Sequence, residues 1–138
     1  MTSEQTVNHL RQAKHNEKLV DFLNKEIPDD FFDWKITIAF YATLHYVRAF
    51  YTSKGIILGH SHLSIAENIN PLKASAILLF DIFHYKLYNT LYLYSRNARY
   101  SGLQEHHKFN EKLRMESVIC QHNLKIIKEY LIKSGLRI

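Results

Sequence analysis

The chain has 138 residues, enough for one domain with a real core and too few for two. Hydrophobic residues make up 46% and charged residues 22%, which excludes a disordered or fibrous chain, and the 4 Gly and 2 Pro favour long helices over turn-rich sheet. A formal net charge of +5 suits a polyanionic partner such as RNA without requiring one, and a single cysteine excludes an internal disulfide framework and fits a reducing cytoplasm.

Ser3 is placed to cap a first helix running to about Glu26, with Val7, Leu10, Ala13, Leu19, Phe22 and Leu23 as its apolar positions. The Ile27-Pro28-Asp29-Asp30 stretch breaks it. A second helix is expected from Phe31–Asp33 to Ser53 or Lys54, stopped by Gly55. Its apolar residues wrap most of its circumference, which makes it the central element. One thin polar line, Tyr41, His45, Arg48 and Thr52, runs along it at helical spacing. After a loop at 55–59, Ser61 can cap a short helix ending at Ile69.

Asn70-Pro71 restarts the chain, and Pro71 suits a first helical turn, so a third long helix is expected from about Leu72 to Arg99, finishing before Gly102. A final helix spans roughly Glu105 to Lys133 and stops at Ser134-Gly135. Its seam, Leu113, Ser117, Cys120, Leu124, Ile127 and Leu131, makes Cys120 a buried structural thiol. The fold class expected is all-α: one domain over 1–138, an antiparallel up-and-down four-helix bundle with one short extra helix. The N-terminus lacks the regions of a signal peptide, and the most apolar stretch, 74–94, is interrupted by Asp81, His84 and Lys86. No membrane span and a cytoplasmic location are therefore expected.

Two segments carry a family resemblance. Phe40-Tyr41-Ala42-Thr43-Leu44-His45, then Lys54-Gly55 and His60 or His62, is similar to a signature of the HEPN superfamily of small prokaryotic helical domains. Arg96-Asn97-Ala98-Arg99-Tyr100 resembles a second signature of that superfamily near the end of its third long helix, with Arg99 where many relatives carry an acidic residue. The resemblance covers about residues 5 to 133. It implies a helical bundle that pairs as a homodimer, and, for many members, metal-independent cleavage of RNA by an Arg and a His separated by a short spacer. Histidine moves a proton to or from the ribose 2′-hydroxyl or the leaving oxygen, and arginine neutralises the phosphate.

Arg96 has no His in that window, where Ser101, Gly102 and Leu103 stand; Arg99, with six intervening residues, reaches His106. The resemblance thus implies Arg96, Arg99 and His106 as the catalytic set. Arg96 would hold phosphate, Arg99 would add charge and His106 would handle the proton. Asn97 and Tyr100 would support them, and His45, Arg48, His60 and His62 form a second set that binds or supports RNA or nucleotide. Three functions remain open at this point: a toxin-like endoribonuclease, a non-catalytic module that binds nucleotide or RNA or pairs with a small nucleotidyltransferase, or a purely structural dimer. His60, His62, His106 and His107 form two close pairs that no Cys or carboxylate spacing joins, so no metal and no cofactor is expected.

Overall fold

A computed structural model describes residues 3–73, 80–100 and 106–138, the side chains of residues 100 and 106–108 excepted. The described residues include five helices: α1 (Glu4–Glu26), α2 (Phe32–Ser53), α3 (His62–Ile69), α4 (Ile82–Tyr100) and α5 (His106–Lys133). The protein is an all-α helical bundle, and among the described residues no helix is long and apolar enough to cross a membrane.

The ends of the helices follow from local chemistry. The Ser3 hydroxyl accepts the Thr6 N–H at the start of α1, and the Ser61 hydroxyl accepts the Ser64 N–H at the start of α3. Helix α2 stops in a Schellman turn. Gly55 sits at φ +74°, the Ile56 N–H returns to the Tyr51 carbonyl at 2.9 Å, and the Gly55 N–H reaches Thr52 at 3.0 Å. Its start departs from any sequence signal: Phe31, a non-glycine residue, takes the left-handed conformation at φ 58°, its N–H held by the Asp30 carboxylate at 2.7 Å.

The third long helix begins later than the sequence suggests. Residues 71–73 form a turn rather than a helix, because the Asn70 side chain accepts the Leu72 N–H and closes a local loop there. Residues 74–79 lie outside the described residues. Helix α4 starts at Ile82, where the Asp81 carboxylate accepts the His84 N–H at 2.8 Å.

Helix α2 is the hub. It packs on α1, α4 and α5, and α4 also packs on α5. Phe40, Tyr46, Val47 and Tyr51 of α2 are fully enclosed, facing Tyr88 and Leu91 of α4 and the Leu113–Leu131 seam of α5, where Cys120 is buried and its thiol pKa is pushed up by burial. Helix α1 packs backbone to backbone on α2 alone among the described residues. That corrects the expected α1 core: Thr6, Leu10, Ala13 and Val20 form a narrow buried stripe, while Val7, Leu19 and Phe22 are exposed.

Candidate functional site

The α2 polar line is half-buried along its length, because α1 covers one end and α3 with α4 covers the other. At the α1 end, Thr52 shares a hydroxyl hydrogen bond with Thr6 at 2.8 Å, and His45 Nδ1 lies 3.0 Å from His9 Nδ1. Two imidazole nitrogens that close share one proton between them, so at least one ring is neutral. Burial first, then His9 and Arg48, lower the His45 pKa to about 4. Burial and Arg48 lower that of His9 as well. At the other end, the Tyr41 hydroxyl meets His62 Nε2 at 3.2 Å.

Helix α4 brings its last two turns to that second end. Tyr92, Arg96 and Arg99 stand at i, i+4 and i+7, so they share a face, and with His62 of α3 they line an open cleft of about 420 Å³. Arg99 donates to the Ser95 hydroxyl at 2.5 Å, and its guanidinium carbon stands 5.7 Å from the centre of the Tyr41 ring, within cation–π range. Arg96 is exposed. The His62 ring packs edge-on against Phe40 and Tyr41 at 5.5 Å each, and its Nδ1 is buried without a hydrogen-bond partner. Burial, then Arg99 and Arg48, push its pKa down, so the imidazole is neutral at pH 7. The cleft therefore offers two guanidinium groups, one neutral imidazole bonded to a phenol, and a partly exposed aromatic ring. That set can hold an anion and can accept a proton beside it.

Of the residues singled out in the sequence, the structure brings Arg96, Arg99 and His62 together, with Tyr41 behind them. His45 and Arg48 lie further along the same line, towards α1. Exposed His60 lines a different cavity, together with Arg48 and His9. Asn97 is exposed and is not among the residues lining the cleft. His106 begins α5 and Tyr100 ends α4, but their side chains lie outside the described residues, as does the segment 101–105 that would relate Arg99 to His106.

Three contributors escaped the sequence reading. Tyr92 and Ser95 were visible as the i−4 neighbours of Arg96 and Arg99. His9 was visible as a polar residue on the stripe of Thr6 and Ala13. Among the described residues, no three of His, Cys, Asp and Glu gather where they could hold a metal ion. Comparison with family models, with curated proteins and with solved structures finds no match to this chain.

Proposed function

We propose that the protein is a HEPN-type RNA-acting protein, and that the cleft between α3 and the end of α4 holds a backbone phosphate of single-stranded RNA. The observation that carries this reading is the convergence of Arg96, Arg99, His62 and Tyr92 on one open cleft. Guanidinium groups match phosphate oxygens in geometry and charge, and a partly exposed tyrosine gives a base a face to stack on. The net charge of +5 favours approach of a polyanion.

Cleavage is a second reading, favoured by the Tyr41–His62 pair. With its proton on Nδ1, neutral His62 accepts the Tyr41 hydroxyl at Nε2. The Tyr41 hydroxyl would take the 2′-hydroxyl proton as it passes its own to that nitrogen, while Arg96 and Arg99 neutralise the phosphate, a scheme that calls on no metal. His62 here replaces His106 as the first candidate for the proton. A homodimer belongs to the same proposal, supported by the exposed Phe83 and Leu93 on α4.

The test is an RNA titration at two salt concentrations beside a cleavage assay in EDTA. Arg96→Ala should weaken binding and lower the salt slope by about 1. His62→Gln should leave binding intact and abolish any cleavage. Binding without cleavage by the unmodified protein selects the non-catalytic module, including one that pairs with a nucleotidyltransferase. No RNA binding even at about 50 mM salt would refute the proposal.

A further inference from the structure

At the α1 end of the polar line, α1, the second half of α2 and the loop after it enclose a cavity of about 360 Å³. Asn8 and His9 reach it from α1, and Arg48 and Thr52 from α2; Ile56 and Leu58 of the loop form an apolar wall. The wall is fixed in place. Leu58 is buried and its carbonyl accepts the Asn68 side-chain amide of α3. Gly59 adopts φ +123°, a conformation that favours glycine, with the Ser64 side chain packed against it.

Arg48 is the unresolved charge in this arrangement. Its guanidinium is half-buried, and among the described residues it makes one hydrogen bond, a long one of 3.5 Å to the Gly59 carbonyl, and no ion pair. Its charge bears on His9, His45 and His62, and no carboxylate acts on any of these three rings. Tyr51 lines the same cavity, and its hydroxyl is buried with no partner. Cations withdrawn from water are ordinarily paired. Here the protein supplies a recessed cation, further donors and an apolar wall, and leaves out the anion.

We propose that this cavity binds a small organic anion, a carboxylate or a phosphate monoester carried on an apolar body. Arg48 and His9 face the anionic group, Asn8 hydrogen-bonds to it, and Ile56 and Leu58 pack on the body. The site is separate from the arginine-lined cleft and does not depend on the RNA reading.

Calorimetric titration with phenyl phosphate, benzoate, inorganic phosphate and neutral benzyl alcohol tests it. Saturable binding of an aromatic anion is expected, with inorganic phosphate about tenfold weaker and benzyl alcohol silent. The tighter of phenyl phosphate and benzoate identifies the anionic group. Arg48→Gln should abolish binding. Asn8→Leu, on the exposed side of α1 and so safe for folding, should weaken it several-fold, and Arg96→Ala should leave it unchanged. Should Arg48→Gln fail to fold, Asn8→Leu and the shift of the His9 ring resonances on titration decide the matter. The proposal falls if neither aromatic anion saturates below about 10 mM, if Asn8→Leu binds undiminished, or if Arg96→Ala removes binding. Inorganic phosphate binding as tightly as phenyl phosphate would overturn the apolar half of the assignment.

Discussion

Burial, His9 and Arg48 all disfavour a proton on His45, whose pKa falls from 6.5 to about 4. In the unfolded chain the same ring takes its proton near 6.5. The stability this residue contributes is therefore fully present above pH 6.5 and is lost as pH falls from there towards 4, because the unfolded state binds the proton first. The loss should be on the order of 2 kcal/mol, allowing for partial exposure of the ring. Urea unfolding at pH 7.5 and 5 checks this: His45→Gln should narrow the gap between the two. Equal gaps in the variant and the parent would show that another group carries the acid sensitivity.

Lys35 poses a related residue-scale case. It is enclosed near the start of α2, donates to the Ile27 carbonyl and stands 4.8 Å from the centre of the Phe32 ring. Lys35→Ala should cost about 1–3 kcal/mol in urea unfolding, because it strips the partner from the carbonyl at the end of α1. At this scale the sequence was partly legible. His62 and Arg99 were visible as chemistry-bearing residues, and Tyr92 stood one turn before Arg96. Nothing in the local pattern says that α3 would lay His62 across the end of α4, because that is a tertiary juxtaposition.

At the scale of elements, one carboxylate ties three helices. Glu17 of α1 accepts the Tyr46 hydroxyl of α2 at 2.7 Å and the Lys128 ammonium of α5 at 2.9 Å. Tyr46 is fully buried, so Glu17→Ala should cost about 1–3 kcal/mol by orphaning its hydroxyl, read as a lower urea midpoint. Asp81→Ala should cost about 0.5–2 kcal/mol by removing the α4 cap, read the same way. The elements were most legible where burial is extreme. Helix α2 is apolar round most of its circumference because it has three neighbours, and the α5 seam from Leu113 to Leu131 is buried as its spacing demands. Helix α1 was misread in its face. Its apolar residues spread more widely than the single stripe α2 can cover, and the number of neighbours a helix has is not written in its own residues. The start of α4 was misread because Pro71 fits a helix N-terminus and a turn equally well, and Asn70 decides for the turn.

On the scale of the whole molecule, side-chain bonds join α1 to its surroundings: Thr6 to Thr52, His9 to His45, Glu17 to Tyr46 and Lys128, and Asn24 to Gln121. Among the described residues its backbone approaches that of α2 alone, whereas α2, α4 and α5 each approach the other two. This asymmetry has a dynamic consequence. Helix α1 can peel away while the other three stay packed, so its amides should exchange with deuterium through a partial opening well below the free energy of global unfolding. Native-state exchange should show α1 losing protection before the buried amides of α2 and α5. Acidification should widen that difference, since protonating both rings of the His9–His45 pair turns a shared proton into a repulsion across the very surface that parts.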